Sequence, residues 1–233
     1  MLIKAIKKLV PLRWKKQLAS FKILSVEYGH YNTIRNWKCV DKTNNKIPWY
    51  TYPAIEYLNS LDFSQKSVFE YGSGFSSIYW GRKAKDVISV EHDRIWMEKI
   101  KPESGTNQTV LLKKDDTEYE KAITETGKVF DVIVIDGLRR PECAREIDKY
   151  LNHQSSEGFM IILDNSDWYK NTAKYLKEEL NLIEVDFHGF GPINATTWTT
   201  SIFLSRNFDF KPINNVQPAF SIAATIPEDE GYR

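Results

Sequence analysis

Short apolar runs alternate with amphipathic stretches along most of this chain, and the pattern predicts an α/β fold. Seven runs have the length and composition of strands, at residues 67–71, 87–91, 109–113, 130–136, 158–164, 182–188 and 199–205. Helical spacing is found at residues 54–61, 75–84, 94–101, 117–125, 141–152 and 167–180. Runs 132–135 and 160–163 are apolar at every position, which indicates strands buried on both faces of a parallel sheet.

The alternation occupies residues 47–206, which we interpret as one domain with an additional segment at each end. A basic amphipathic arm and an irregular lead-in occupy residues 1–46. Residues 207–233 contain three prolines and an acidic end, so we expect a tail that is draped over the domain or disordered. A chain of 233 residues leaves little room for a second domain.

The arm is the most basic part of the chain. Residues 1–24 carry seven basic side chains and no acidic one, although the net charge of the whole chain is only +1. Apolar residues recur between the lysines at helical spacing, and these are Ile3, Ile6, Leu9 and Val10. Such a segment can lie on an anionic membrane surface, or it can pack on the domain with its lysines in solvent.

Composition narrows the class of protein and its location. The near-neutral charge argues against a nucleic-acid binder, which usually has a strong basic excess. Two cysteines, Cys39 and Cys143, are too few for a disulfide framework and favour a reducing compartment. No apolar run approaches the length that crosses a bilayer. We therefore expect a cytoplasmic protein, peripheral at the inner membrane surface if the arm binds lipid.

The junction after the first predicted strand carries the most specific signal. The strand ends in Glu70-Tyr71-Gly72-Ser73-Gly74, a helix follows, and the next strand ends in Glu91. Glycines at such a junction let the backbone approach a ligand beside the free N–H groups of the helix start. An acid at the end of the next strand is where a Rossmann-like unit hydrogen-bonds ribose. The pattern predicts a nucleoside-bearing cofactor.

These residues resemble the first motif of class I S-adenosylmethionine-dependent methyltransferases, and the resemblance extends over roughly residues 47–206. Ser77 stands where a dinucleotide fingerprint has its third glycine. The resemblance implies a Rossmann-like, seven-stranded, mostly parallel sheet with helices on both faces and an antiparallel last strand. It also implies the residues that bind S-adenosylmethionine: Glu70 beside the methionine part, Gly72, Gly74 and Ser76 in the turn, Glu91 on the ribose, and Asp115 or Asp116 near the adenine. The two aspartates can equally cap the helix that follows.

Later strand ends resemble the cation site of catechol-type O-methyltransferases. The residues concerned are Asp136, Asp164 and Asn165. Their oxygens are hard ligands suited to Mg²⁺ or a similar divalent cation, which would lower the pKa of an acceptor hydroxyl. The alternative is that Asp136 positions the substrate alone, while Asp164 and Asn165 cap the next helix.

Candidate residues for acceptor binding and activation are Asp136, Arg139 and His188. Arg139 stands where catechol-type enzymes have a lysine that acts as the base. Arginine stays protonated and is a poor base, but its planar guanidinium suits the binding of a carboxylate or phosphate. The run Asp136-Gly-Leu-Arg-Arg-Pro-Glu-Cys143 also resembles methyltransferases of acidic polysaccharides, such as the plant glucuronoxylan O-methyltransferases. Arg139 or Arg140 is therefore expected to hold an acidic group, or to form a surface ion pair. His188 can be a general base or a structural residue.

Aromatic residues accompany the predicted site. Segments 49–52 and 188–194 are expected to form a lid or a platform for a flat ligand. Three tryptophans on helices are expected to pack in the core: Trp80, Trp96 and Trp168.

The sequence thus predicts a methyltransferase that uses S-adenosylmethionine, with or without a divalent cation, to methylate an oxygen of a small molecule or glycan unit, acidic or neutral. No nucleic-acid partner is expected. The alternatives are another nucleotide-cofactor transferase or oxidoreductase, or a non-catalytic scaffold attached to the membrane by its basic arm.

Overall fold

A computed structural model of the chain describes residues 11–152 and 158–227 and shows a mixed sheet between two layers of helices. Within these residues the strands are β1 (Ser67–Tyr71), β2 (Asp86–Glu91), β3 (Gln108–Leu112), β4 (Val132–Ile135), β5 (Met160–Asp164), β6 (Ile183–Gly189) and β7 (Trp198–Leu204). The α-helices are α1 (Leu12–Lys22), α2 (His30–Asn36), α3 (Tyr52–Asn59), α4 (Phe75–Gly81), α5 (Arg94–Ile100), α6 (Asp116–Glu125), α7 (Arg140–Leu151) and α8 (Lys170–Glu178).

The strands lie in the order β3-β2-β1-β4-β5-β7-β6. Strands β1 to β5 are parallel, whereas β7 is antiparallel to both β5 and β6. The predicted α/β fold with an antiparallel last strand is therefore confirmed. The register pairs Tyr71 with Ile135 and Ile135 with Leu163, so the ends of β1, β4 and β5 meet at one edge of the sheet.

Both faces of the sheet are covered, as the continuous apolar strands predict. Val132 and Val134 of β4 pack in the cluster that includes α3 and α4. The alternate residues Ile133 and Ile135 pack in the cluster that includes α6, α7 and α8. Two separate apolar layers thus hold the strand ends in fixed positions.

Parts of both flanks join the packed domain. Cys39 in the lead-in and Phe210 in the tail are buried in the same core cluster, so the packing extends beyond residues 47–206. The first ten residues of the predicted basic arm and residues 228–233 of the tail lie outside the described residues. None of the described helices is long and apolar enough to cross a membrane.

Two helices begin where local backbone chemistry, rather than apolar spacing, places them. Helix α3 starts at Tyr52 instead of residue 54, since Pro53 falls in the first turn, where its missing N–H costs nothing. Helix α8 starts at Lys170 instead of residue 167, because Asn165 adopts a left-handed conformation with φ 52° and residues 165–169 form turns.

Candidate active site

A cavity of about 630 Å³ lies at the ends of β1, β4 and β5. This is where open α/β sheets bind ligands. Its floor is formed by the turn after β1 and by the residues that follow β4 and β5. Its lining comprises Trp37, Lys38, Cys39, Trp49, Ser73, Gly74, Phe75, Ser76, Trp96, Lys99, Asp136, Arg140, Asp164, Asn165, Trp168, Ile193 and Asn194.

The turn after β1, residues 72–74, packs directly against the backbone of the loop after β4. Gly72 has φ +96°, and a Cβ there would lie 3.1 Å from the Cα of Gly137. A Cβ on Gly137 would in turn lie 2.8 Å from the Gly72 nitrogen, so neither glycine tolerates a side chain without movement. Gly74 differs, because its φ of 175° suits any residue and the nearest atom to its missing Cβ is the Ser76 Oγ at 3.8 Å. Its missing side chain leaves the cavity side of the turn open.

Glu91 holds this turn from the end of β2. Its Oε2 accepts hydrogen bonds from the Ser73 backbone N–H at 3.0 Å and the Ser73 hydroxyl at 2.9 Å. Its Oε1 accepts from the backbone N–H groups of His92 and Asp93. Glu91 is buried at the strand end where the sequence places a ribose ligand, and the ribose contact itself stays a prediction.

Glu70 lies behind the turn instead of facing the cavity. Its Oε2 accepts hydrogen bonds from the Ser77 and Ser89 hydroxyls, while its Oε1 is buried without a partner. Burial raises the pKa of Glu70 from 4.5 to about 7. Glu70 is not among the residues that line the cavity, and its hydrogen bond to Ser77 supports the first turn of α4; its contact with the methionine part of a cofactor stays a prediction.

Asp115, Asp116 and Arg139 all lie outside the cavity lining. Asp115 caps α6 by accepting hydrogen bonds from the backbone N–H groups of residues 117 and 118. Arg139 forms surface ion pairs with Asp116 and Glu120. The structure therefore favours the capping role for Asp115 and the surface ion pair, the alternative named above, for Arg139; the contact of Asp116 with adenine stays a prediction.

The next residue, Arg140, points into the cavity instead. Its Nη2 donates to Asp136 Oδ1 at 3.1 Å and its Nη1 donates to Asn165 Oδ1 at 3.2 Å. The guanidinium also donates to the backbone carbonyls of Gly137 and Asp164 and lies 4.8 Å from the centre of the Tyr169 ring. Arg139 has a left-handed φ of 50°, and this change of direction sends the two adjacent arginines to opposite sides.

Arg140 bonds to residues that were predicted to bind a divalent cation. Its positive charge bonds directly to Asp136 and Asn165, two of the three residues that were predicted to bind the metal ion. The third, Asp164, already accepts hydrogen bonds from Trp198 Nε1 at 3.1 Å and Thr200 Oγ1 at 2.6 Å. Within the described residues, no group of three or more histidine, cysteine, aspartate or glutamate side chains could hold a metal ion. The predicted metal site does not fit this arrangement.

The two aspartates differ in protonation. Burial raises the pKa of Asp136 to about 6, and the Arg140 charge limits that rise. Burial together with the nearby Asp136 charge raises the pKa of Asp164 to about 8. Both carboxyls therefore keep protons to a higher pH than exposed aspartates do, and the Arg140 charge favours ionisation of Asp136.

The mouth of the cavity is aromatic and basic. Trp37, Trp49 and Trp168 are exposed by 73%, 44% and 76%, respectively. Lys38 and Lys99 line the same mouth, and neither forms an ion pair with any of the described acidic residues. Trp49 thus lies where the predicted platform requires it, and its contact with a ligand stays a prediction, whereas the exposure of Trp168 contradicts its predicted packing role.

Two other predictions concern tryptophans and a histidine. Trp80 is fully buried, as expected, whereas Trp96 lines the cavity and donates to the Ser73 carbonyl at 2.6 Å. His188 lies on the edge strand β6, in a separate hollow of about 350 Å³, and bonds to Thr199 Oγ1 at 2.8 Å. His188 therefore lies outside the lining of the cavity, which favours the structural role over the role of a base.

Comparison with known proteins identifies the fold. No family model and no curated protein matches the sequence. The structure is similar to that of the O-methyltransferase TomG from Streptomyces achromogenes in complex with S-adenosylmethionine, with 14% identity, 82% of this chain and 96% of TomG covered, and a TM-score of 0.53. The comparison also finds the N-methyltransferase NodS from Bradyrhizobium japonicum in complex with S-adenosyl-L-homocysteine, with 13% identity and a TM-score of 0.42. The match covers 60% of this chain and 78% of NodS. The similarity to TomG shows that this chain has the fold of class I S-adenosylmethionine-dependent methyltransferases.

Proposed function

We propose that this protein transfers the methyl group of S-adenosylmethionine to a hydroxyl oxygen of a glycan unit or similar small molecule that carries an acidic group. One observation carries the proposal. A single cavity joins the glycine turn after β1 to a carboxylate, Asp136, and opens through an aromatic and basic mouth.

The turn fits the cofactor. The open side of Gly74 and the backbone of residues 73–76 border the cavity, so a ligand can approach the main chain there. Glu91 fixes Ser73 and lies at the strand end where a ribose would be bound. When bound, S-adenosylmethionine supplies an electrophilic methyl group on a positively charged sulfur.

Asp136 is the proposed base. Its Oδ1 is held by Arg140 at 3.1 Å, and the charge of the guanidinium favours the ionised carboxylate that a base requires. As the acceptor oxygen forms its bond to the methyl carbon, the hydroxyl proton passes to Asp136, and the methyl–sulfur electron pair stays on sulfur. A positioned base of this kind typically contributes about 10²–10⁴-fold to the rate.

The mouth supports an acidic, ring-bearing acceptor. Tryptophan faces bind the apolar faces of flat ligands such as sugar rings. Lys38 and Lys99 supply positive charge without acidic partners among the described residues, and that charge favours a carboxylate or phosphate on the acceptor.

Calorimetric titration with S-adenosylmethionine and with NAD tests the cofactor, and formation of S-adenosylhomocysteine with acidic and neutral oligosaccharides tests the acceptor. Asp136→Asn should keep cofactor affinity and lose about 10²–10⁴-fold in turnover. Asp209→Asn, which removes a carboxylate paired with Lys211 on the surface, is the matched control. Tighter binding of NAD, or full turnover in Asp136→Asn, would contradict the proposal.

A further inference from the structure

Helix α1 has an apolar face that nothing in the described structure covers. None of its residues is buried. Trp14, Leu18 and Phe21 are spaced four and three residues apart, which places them on one side of the helix. Their exposed fractions are 58%, 61% and 67%. Three large apolar side chains on one helix face form a binding surface rather than scattered exposure.

The charges around this face are all of one sign. Lys15 and Lys22 lie along one edge, since they are seven residues apart, and Arg13 lies along the other. Lys16 lies on the back of the helix. The sequence contains no acidic residue before Glu27. The helix therefore has one apolar face of tryptophan, leucine and phenylalanine, and every charged residue around that face is basic.

We infer that α1 lies in the interface of an anionic lipid bilayer, with Trp14, Leu18 and Phe21 directed into it. An amphipathic helix with bulky apolar residues on one face and lysines around it has the composition of an interfacial helix. A second copy of the chain is a poorer occupant. A two-fold interface brings the same patch of both copies together, so the basic edges would face each other without any acid between them.

The segment that follows α1 packs against the wall of the cavity. After α1, Tyr28 packs on Tyr52 with ring centres 4.7 Å apart. In α2, His30 bonds through Nε2 to the carbonyl oxygen of Asn194 at 2.9 Å, and Asn194 lines the cavity. Binding of α1 to a bilayer would therefore hold the cavity wall close to the lipid headgroups.

Vesicle flotation with the full chain tests the inference. Phosphatidylcholine vesicles with phosphatidylglycerol should bind the protein, and binding should weaken in high salt. The triple variant Lys15→Gln, Lys16→Gln, Lys22→Gln should lose on the order of 100-fold in partitioning, given roughly fivefold for each lysine near an anionic surface. Its matched control replaces three exposed lysines of α8 with glutamine: Lys170, Lys174 and Lys177.

The apolar face is tested separately. Trp14→Ser, Leu18→Ser, Phe21→Ser should abolish flotation, whereas Ile95→Ser, at a position 79% exposed on α5, should not. Calorimetric affinity for S-adenosylmethionine reports on folding and on the proposed function independently of the vesicles. Equal flotation of the triple serine variant and the wild type would overturn the inference. So would a dimer in sedimentation equilibrium that the same variant dissociates, because the face would then bind a second copy.

Discussion

Replacement of Arg140 by alanine tests whether one guanidinium neutralises the acidic end of the cavity. Its Nη2 lies 3.1 Å from Asp136 Oδ1, and only 9% of the residue is exposed. Truncation leaves the partly buried Asp136 and the buried Asp164 side by side without the guanidinium charge. Removal of one partner from a buried ion pair costs about 3–5 kcal/mol. For a chain of this size the melting temperature should fall by roughly 6–20 °C.

Scanning calorimetry at about pH 8 and about pH 5 measures this loss and its origin. The pKa values of Asp136 and Asp164, about 6 and about 8, rise further without the guanidinium. Both carboxyls are then protonated at the lower pH, so the loss should shrink there.

The neighbouring arginine provides the control for this experiment. Arg139→Ala removes ion pairs that lie on the surface, and the melting temperature should change much less. Equal losses for the two alanine variants would refute the role given to Arg140. A loss in Arg140→Ala that stays the same at both pH values would show that charge repulsion is not its cause.

Three other predictions follow from contacts in and behind the site. Gly72→Val should abolish binding of S-adenosylmethionine in a calorimetric titration, because φ is +96° and Gly137 Cα lies 3.1 Å from the added Cβ; unchanged affinity would exclude this turn as the cofactor site. Glu70 has a pKa raised from 4.5 to about 7, so the folded state keeps a proton that the unfolded chain loses. Glu70 should therefore contribute a fall of about 3 kcal/mol to the wild-type unfolding free energy as pH rises from about 4.5 to beyond 7, in addition to the falls from Asp136 and Asp164. Glu70→Gln should reduce the total fall by that amount in denaturant titrations, and an identical pH dependence in both proteins would contradict it. Turnover should survive a chelator such as EDTA because Arg140 already bonds to two of the predicted metal ligands; loss of turnover that Mg²⁺ restores would show that a cation displaces the guanidinium.

The sheet and the position of the site could be predicted from the sequence because both depend on repeating patterns. Continuous apolar runs identify buried parallel strands, and the parallel order brings their ends together. Asp136 and Asp164 therefore meet at one edge, as expected from the sequence. The same reasoning does not predict the direction of every acidic side chain. Glu70 lies near the end of the parallel strand β1, but it bonds to Ser77 and Ser89 and does not line the cavity.

Side-chain direction at irregular backbone could not be predicted. Arg139 and Arg140 are chemically identical neighbours, yet Arg139, which has a left-handed φ, lies at the surface and Arg140 enters the site. Nothing in the composition of the segment signals that conformation, which non-glycine residues adopt rarely. The tryptophans pose a related problem, because a tryptophan beside a helix is usually buried. Trp168 belongs instead to the turn before α8, and its exposure follows from a turn whose start is set by the left-handed Asn165.

The presence of Arg140 changes what must align the acceptor. A divalent cation would bind two oxygens of the acceptor at once and so select adjacent hydroxyl groups. Arg140 instead donates its hydrogen bonds to protein oxygens, namely those of Asp136, Asn165 and two backbone carbonyls. It therefore does not bind two oxygens of the acceptor as a cation would. Alignment of the reacting hydroxyl then depends on the mouth of the cavity, where Trp37 and Trp168 offer flat faces and Lys99 offers a charge. Under the proposed function, an acceptor with one hydroxyl near an acidic group should therefore react as well as a vicinal diol.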